Sequence, residues 1–589
     1  MQQNRLRLPV GATASSVDRL MPEQKGESVL EESLWFGEPG RQLFGRLTVP
    51  ELDECLGGVL LAPPIGREIR PARRALRTLA LEMAARGYVV LRFDHYGCGD
   101  SSGSMDDDFA DAWIEGVADG VRLLRSLSPG SISAVGMRMG APIVVKATQQ
   151  QDLGLSSFVM WDPCETGRSY VRETDALGVL QRHEFTSDVK EDSKMTEYAL
   201  SAGASDALRT FKLTDPITQP VAERLLIVVR SDRTVSSAFH DIWDSQGAEW
   251  RSSEEQSTMF EYSLPRAVDP VNTISEIQSW LSLPTPTPRT ISLPQLSRDA
   301  LVAGSATSTP VRERAVELGP RQMFGVLSEP VGDVRGPLVV FVNGVNEDHL
   351  GPARLWVEMA RDWAEIGLRS LRFDLGTLGE SQWPPNLSDR PVFDKSYAED
   401  VVAAVRALLP DDPGNSVLIG YCSGALLAYD AASQLGSQGV CSVSPELVAS
   451  VFRNVSRVKH SQHGPVHTLV TAFEQFLKRH RLEAKVTGRL SRLVRAFAFP
   501  PPVPSTLSRS RTNLLIVLAR EDLPKFPHFP FLGRRLASTD RQRVIIVPGM
   551  DHNLLNTKGR ERAVEMLERY VVDTYLGSTS PQATPATPD

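Results

Sequence analysis

The sequence Gly-Tyr-Cys-Ser-Gly at residues 420–424 decides the fold. The apolar run Ser416–Ile419 precedes it, and the small-residue run Ala425–Tyr429 follows it. This order predicts a strand, a sharp turn and a helix, which is the arrangement of a nucleophile elbow. The glycines allow the backbone to turn where a Cβ would clash. Cys422, at the centre, would then stand at a helix N-terminus, where the helix dipole favours a developing anion.

A cysteine at this position has two interpretations. A thiolate is a strong nucleophile, and a helix N-terminus or a nearby imidazole favours the thiolate form of a cysteine. The alternative is a small buried cysteine that only fills a tight turn. The rest of the chain has to distinguish between them.

Length, charge and cysteine spacing narrow the class of protein. The chain has 589 residues, and because a single core stops growing at roughly 250–300 residues, we expect two domains. A net charge of −8 gives no reason to expect a nucleic acid or an anionic membrane as partner. Five scattered cysteines without a C-x-x-C pair fit a reducing compartment. No signal-peptide core and no apolar run of ~20 residues is seen, so we expect a cytoplasmic protein.

Several motifs occur twice. Arg-Gln-Leu-Phe-Gly at 41–45 recurs as Arg-Gln-Met-Phe-Gly at 321–325, and Leu-Arg-Phe-Asp at 91–94 recurs at 371–374. The elbow matches Gly-Met-Arg-Met-Gly at 136–140. A period of roughly 280–290 residues predicts a duplicated domain and excludes a solenoid of short repeats.

Each copy alternates apolar strands with amphipathic helices. This pattern predicts a mostly parallel sheet covered on both faces, a doubly wound α/β fold. Predicted strands lie at 58–63, 88–93, 132–135, 225–230, 514–519 and 544–548, and predicted helices at 71–86 and 113–127. The predicted organisation is a flexible arm at 1–30, a first domain at 31–283, a Pro-, Ser- and Thr-rich linker at 284–312, a second domain at 313–577 and a disordered tail at 578–589.

In combination these motifs resemble the α/β-hydrolase superfamily over nearly all of both copies. The sequence at 420–424 is similar to the elbow of dienelactone hydrolases and to the cysteine lipase box of polyhydroxyalkanoate synthases. Residues 93–101 and the Trp-Asp-Pro at 161–163 resemble the serine-aminopeptidase-type and exosortase-associated hydrolases. The resemblance implies two tandem α/β-hydrolase domains, each with a helical cap insertion.

In the second copy the cap is expected between the strands that flank residues 441–512. It contains His460, His463 and His467, but Gly464-Pro465 interrupts the helical pattern and no acidic cluster accompanies them. We therefore expect no metal site.

The superfamily's chain order of nucleophile, acid and base implies a triad in the second copy. Cys422 is the nucleophile, and His552 is the base because it follows the last predicted strand. The acid should follow the strand at 514–519, where Asp522 is preferred by the resemblance and Glu521 is the alternative.

The oxyanion hole is expected from two backbone N–H groups. Ser423 supplies one, and Gly344 or Val345, in the loop after the strand that ends at Val342, supplies the other. The side chains of Asn343 and Asn346 are candidates as well, although either is as readily a turn former.

The first copy lacks this chemistry. Arg138 stands at the nucleophile position and stays protonated, Asp232 remains at the acid position, and residues 262–269 contain no histidine. An Arg138–Asp232 ion pair and an anion bound by Arg138 are the two alternatives. We expect the first copy to pack on the second as an internal pseudo-dimer, or to help present a substrate.

Three functions follow from these observations. The leading one is acyl transfer, in which Cys422 attacks a small-molecule or carrier-bound ester or thioester and forms a thioester acyl-enzyme, as a hydrolase or an acyltransferase. The alternative is a non-catalytic pseudo-hydrolase that binds a ligand or acts as a scaffold. The third is a lyase or isomerase that holds its substrate at Cys422. No cofactor is implied, because the nucleotide-binding and zinc motifs are absent.

Overall fold

The fold is an α/β architecture with two large mixed sheets. The computed structural model describes residues 29–51, 54–105, 109–127, 130–185, 200, 202–261, 269–282, 288–291, 296–303, 309–344, 347–381, 396–445, 512–525 and 541–577. Residues 1–28 of the predicted arm at 1–30, the tail at 578–589 and the second cap with its three histidines lie outside the described residues. The last two residues of the predicted arm, Val29 and Leu30, belong to a strand instead.

The first sheet has eight strands in the order β1-β2-β5-β4-β6-β7-β8-β9. Strand β2 pairs antiparallel with both of its neighbours, β1 and β5. All other pairs in this sheet are parallel. Its strands are β1 Val29–Phe36, β2 Leu43–Pro50, β4 Gly57–Ala62, β5 Tyr88–Phe93, β6 Ile132–Met137, β7 Leu155–Trp161, β8 Arg224–Arg230 and β9 Glu249–Ser253, and β3 Glu54–Cys55 pairs separately with β10 Arg289–Thr290.

The second sheet has nine strands and repeats the order of the first. Its order is β11-β12-β13-β15-β14-β16-β17-β18-β19, so it matches the first sheet with β11 added at the edge. Its strands are β11 Asp299–Ala303, β12 Pro310–Leu318, β13 Met323–Pro330, β14 Leu338–Val342, β15 Ser370–Phe373, β16 Ser416–Tyr421, β17 Gly439–Val443, β18 Asn513–Ala519 and β19 Gln542–Val547. The predicted fold class, two tandem doubly wound α/β units, is confirmed.

Helices cover both faces of each sheet. The α-helices are α1 Ile69–Ala84, α2 Ala110–Leu127, α3 Gly140–Gln150, α4 Gly167–Phe185, α5 Ala202–Leu208, α6 Ser237–Ser245, α7 Gln256–Glu261, α8 Val271–Leu281, α9 Leu355–Glu365, α10 Ser396–Leu408, α11 Gly424–Leu435 and α12 Thr557–Val571. Short 3-10 helices lie at Gly66–Glu68, Pro352–Arg354 and Arg520–Lys525, and a π-helical turn at Val572–Leu576. No helix in the described part of the chain is long and apolar enough to cross a membrane.

The cores follow from the two-residue period of buried strands. In β4, Leu60 packs with α2 and α3, while its neighbours Val59 and Leu61 face the opposite side and pack with α1 and α8. The second sheet is covered in the same way by α10 and α11 on one face and by α9 and α12 on the other. Parallel strands buried on both faces explain the near-continuous apolar runs in the sequence.

The stretch predicted to be a linker contains strands. Within 284–312, Arg289–Thr290 pairs with Glu54–Cys55, and Asp299–Ala303 forms the edge strand of the second sheet. Alternation explains the second strand, because Ala300 and Val302 are buried in a cluster shared by both sheets while their neighbours are exposed. Ordered structure of the second unit therefore begins before residue 313.

The two units are joined by buried ion pairs in which each unit supplies the cation once and the carboxylate once. Arg92 of the first unit donates two hydrogen bonds of 2.8 Å to Glu380 of the second. Arg372 of the second unit donates to Asp100 of the first. These four buried residues occupy equivalent places in the repeated motifs, so the two contacts are counterparts of each other, as in an isologous interface.

Candidate active site

The predicted elbow forms at the end of β16. Cys422 has a φ of +52°, a left-handed conformation that costs a non-glycine residue energy and is concentrated at functional sites. A Cβ on Gly420 would lie 2.5 Å from the Cα of Ala425, and one on Gly424 would lie 2.3 Å from the carbonyl oxygen of Val342. Both glycines are therefore required for the turn that presents Cys422.

The first unit keeps the same elbow backbone. Arg138 has a φ of +51°. A Cβ on Gly136 would lie 2.6 Å from the Cα of Ala141, and one on Gly140 would lie 2.3 Å from the carbonyl oxygen of Ala62. The turn is thus the same in both units, and only the residue at its tip differs.

The structure brings Cys422, His552 and Asp522 together. Nδ1 of His552 lies 2.7 Å from Oδ1 of Asp522, whose side chain is fully buried. The side chain of Cys422 hydrogen-bonds His552 as well. The imidazole therefore bridges a thiol and a carboxylate.

The two candidate acids have different partners. Oε1 of Glu521 accepts the backbone N–H of His552 at 2.7 Å, whereas Asp522 contacts the ring. Asp522 is buried and Glu521 is exposed. Of the two, only Asp522 is placed to fix the orientation of the imidazole.

His552 is strongly basic in this setting. Burial by itself would lower its pKa, but the hydrogen bonds to Asp522 and Cys422 outweigh burial and raise the pKa of His552 to about 10. Asp522 and Cys422, on the two sides of the ring, thus both favour its protonated form.

Gly344, one of the residues predicted for the oxyanion hole, lies beside Cys422. A Cβ built on Gly344 would be 3.8 Å from the Cβ of Cys422 and 3.1 Å from Oγ of Ser423. Val345 and Asn346 lie outside the described residues. The side-chain oxygen of Asn343 accepts a hydrogen bond from the Trp356 indole, so packing fixes the orientation of this buried amide.

Two residues that the sequence did not single out complete the site. The hydroxyl of Tyr421 donates to Oδ1 of Asn553 at 3.4 Å, and burial together with Glu347 and Cys422 raises its pKa well above the usual value. The carboxylate of Asp551 accepts the N–H groups of Asn553 and Leu555 at 2.9 and 3.2 Å.

Asp551 therefore holds the loop that carries His552, and Tyr421 stays a protonated donor. The available sequence signal was position alone, because Tyr421 precedes the nucleophile and Asp551 precedes the base.

Both alternatives for Arg138 require correction. Its guanidinium is buried and paired with Glu68 at 3.0 Å, and with Asp162 and Glu173 at 3.4 Å each. Three carboxylates surround one cation, so no anion site remains there.

Asp232 does not pair with Arg138. It lies half-exposed and binds Arg230 at 2.6 and 2.8 Å. The sequence prediction assumed that the acid and nucleophile positions still face each other. In fact the three partners of Arg138 come from segments after β4 and β7 and from α4.

Comparison with known proteins gives one family and a set of similar structures. Residues 339–566 match the family described as the alpha/beta hydrolase family. No curated protein matches the chain.

The solved structures similar to this chain include a dienelactone hydrolase from Anabaena variabilis, at 17% identity and a TM-score of 0.30 over 44% of this chain and 97% of that one. An esterase from Pyrococcus furiosus is 15% identical, with a TM-score of 0.30 over 48% of this chain and 98% of that one. Est1E from Butyrivibrio proteoclasticus is 15% identical, with a TM-score of 0.31 over 43% and 97%. The residues that match the family lie within the second unit, from β14 to α12.

Proposed function

We propose that the second unit is an acyl-transfer enzyme with Cys422 as nucleophile, His552 as acid and base, and Asp522 as the orienting carboxylate. The supporting observation is the left-handed elbow that holds Cys422 in hydrogen-bond contact with His552, whose Nδ1 lies 2.7 Å from Asp522. Nucleophile, base and orienter in hydrogen-bond reach are the general requirement for covalent catalysis.

Acylation begins when His552 takes the proton from the thiol of Cys422. The thiolate Sγ of Cys422, paired with the His552 imidazolium, attacks the acyl carbon of an ester or thioester. The carbonyl oxygen becomes an oxyanion beside the N–H of Ser423 and the backbone at Gly344. When the intermediate collapses, the bond to the leaving group breaks, and the leaving alkoxide or thiolate takes the proton from His552. The products are a thioester on Cys422 and a neutral alcohol or thiol.

Deacylation then uses a less basic histidine. In the thioester, Cys422 carries no charge, so one of the interactions that raises the pKa of His552 is absent. His552 can therefore take a proton from the acceptor as it attacks the thioester. The C–S bond then breaks, and Cys422 leaves as the thiolate beside the protonated His552, from which it regains its proton. Water gives a carboxylic acid, and an alcohol, amine or thiol gives a transfer product. The substrate we propose is a small-molecule or carrier-bound acyl group.

The first unit is proposed to be a non-catalytic partner in an internal pseudo-dimer. The guanidinium of Arg138, its elbow residue, forms ion pairs with three carboxylates. The symmetric pairs Arg92–Glu380 and Arg372–Asp100 support a fixed arrangement of the two units.

The acylation rate should fall as pH rises through about 10, because the leaving group needs the proton that His552 loses near its pKa of about 10. Asp522→Asn removes a group that raises this pKa, so the fall should move to lower pH. The measurement is the acylation rate against pH with an alkyl ester. A nitrophenyl ester is the control, since its leaving group needs no proton and its rate should not show the fall. Identical alkaline profiles for the wild type and Asp522→Asn would contradict the assignment.

Alkylation of Cys422 separates the enzyme from the pseudo-hydrolase. Iodoacetamide at pH 7 should modify Cys422 first, because the other four cysteines are buried, but exposure alone would give the same order. The decisive comparison is His552→Ala, which we expect to slow alkylation of Cys422 about tenfold by removing the imidazolium. Equal rates in the wild type and the variant would support the non-catalytic alternative.

A further inference from the structure

The described part of the loop after β14, which we call the β14 loop (residues 343, 344 and 347–350), is held by the first unit at three consecutive residues. Each of these residues contacts a different charged group of the first unit. The pairs are Glu347 with Arg70 at 3.1 Å, Asp348 with Arg73 at 3.7 Å, and His349 Nε2 with Asp100 Oδ2 at 2.6 Å.

His349 is the deepest of the three contacts. Its side chain is fully buried, and its Nδ1 lies 3.0 Å from Oδ2 of Asp374, whose other oxygen accepts the His349 backbone N–H at 2.6 Å. Burial would lower the pKa of His349, but Asp374 and Asp100 outweigh burial and raise it well above the usual value. The imidazolium therefore links a carboxylate of each unit and fixes the end of the β14 loop.

The other end of the β14 loop is the candidate oxyanion site. The backbone N–H of Glu347 donates to the carbonyl oxygen of Gly344 at 3.0 Å, which joins the two described parts of the β14 loop. Gly344 in turn lies beside Cys422. The charge of Glu347 also helps to raise the pKa of Tyr421, the residue before the nucleophile, whereas the charge of Arg70 lowers this pKa. The contact of Arg70 with Glu347 is thus linked to the site through one side chain and one backbone hydrogen bond.

We propose that the first unit positions the oxyanion backbone of the second, with Arg70, Arg73 and Asp100 as positioning residues. This inference rests on the proposed function. An oxyanion donor has to lie about 2.7–3.1 Å from the developing charge, and a misplacement of about 1 Å can slow a reaction about 100-fold. Three charged contacts, from α1 and from the loop after β5 of the first unit, hold the β14 loop from outside. On this account, the unit that lost its own nucleophile completes the site of its neighbour.

The chain offers a matched pair of variants for the test. Arg70 and Arg74 lie one turn apart on α1, but Arg74 pairs with Asp269 of its own unit at 2.8 Å. Both guanidinium groups are partly exposed, so neither substitution leaves a deeply buried charge. Arg70→Ala should slow acylation of Cys422 by an activated ester about tenfold, and Arg74→Ala should leave it unchanged.

Alkylation of Cys422 distinguishes a lost oxyanion donor from general structural damage, because only structural damage would slow alkylation. Iodoacetamide reacts by displacement at a saturated carbon and forms no oxyanion. Its rate at Cys422 should therefore stay the same in Arg70→Ala, while acylation slows. Arg70→Glu and Glu347→Arg should each slow acylation when made alone. The double variant Arg70→Glu/Glu347→Arg restores an ion pair with the charges exchanged, so its acylation rate should return towards the wild-type value.

The outcomes separate the inference from the function on which it rests. A wild-type enzyme that acylates and an Arg70→Ala variant that acylates equally well would overturn the positioning role alone. Equal slowing of acylation and alkylation in Arg70→Ala would also overturn it, because it indicates general damage. A wild-type protein that is alkylated at Cys422 but never acylated would overturn the proposed function and this inference together.

Discussion

Turnover of an acyl ester is expected to fall about 10⁴-fold or more in Cys422→Ala, because removing the nucleophile leaves only binding and the oxyanion donors to act on water. The elbow holds Cys422 against His552 by a turn that needs both flanking glycines, and no other cysteine shares this contact among the described residues. Steady-state kinetics with an ester that the wild type accepts would measure the loss.

Cys441→Ala is the control for this variant. Cys441 lies in β17, on the strand beside the elbow strand, and is fully buried. Its truncation changes core packing without touching the proposed chemistry, so activity per folded molecule should stay near the wild-type value. Activity that survives in Cys422→Ala would mean that the reaction takes place elsewhere.

The second large effect is on stability, and it concerns Arg372. This side chain is completely buried and donates to Asp100 and to Glu313, at 2.6 Å in the second case. Arg372→Met leaves two buried carboxylates short of a cation, and breaking a buried pair in this way costs about 3–5 kcal/mol. We expect the midpoint of denaturant unfolding to fall accordingly, and Arg122→Ala, which removes an exposed pair with Asp119, to change it very little.

The penalty of Arg372→Met should depend on pH. Burial would raise the pKa of Asp100 and Glu313, but their cationic neighbours outweigh it and lower both pKa values. Carboxylates of this kind contribute stability above their unfolded pKa of about 4 and lose it as pH falls through the folded value. Removing Arg372 takes away one of the cations that lower these folded pKa values. Because both variants have the same unfolded state, the difference in their stability should shrink as pH falls from the higher folded pKa of these carboxylates in Arg372→Met towards the lower one in the wild type. A penalty that is constant from pH 3 to 7 would show that packing, and not charge, is responsible.

Local patterns in the sequence predicted most of the fold. The strand at 88–93 has the predicted bounds, and the helix predicted at 113–127 begins three residues earlier, at Ala110. The strand and helix around Cys422 were predictable because apolar periodicity and paired glycines are local signals. The edge strand Asp299–Ala303 was not, because five alternating residues in a Ser- and Thr-rich stretch carry too short a pattern.

The site was partly predictable for the same reason. Chain order led to Cys422 and His552, but it could not distinguish Glu521 from Asp522, since adjacent residues differ only in the direction their side chains take in the folded loop. The partners of Arg138 were missed because they come from three separate segments. The contact between Arg70 and Glu347 joins residues that are far apart in the chain and have no common periodic pattern.

The most direct test of the acyl-transfer proposal is the mass of the intact protein after brief exposure to activated acyl esters and thioesters. Wild type should gain the mass of one acyl group. Cys422→Ala should gain none, His552→Ala should gain it more slowly, and Cys441→Ala should behave as wild type. The fate of the adduct in buffer with and without an added amine acceptor would then distinguish hydrolysis from transfer. No acyl adduct on the wild type across a broad panel of donors, or an adduct that persists in Cys422→Ala, would contradict the account.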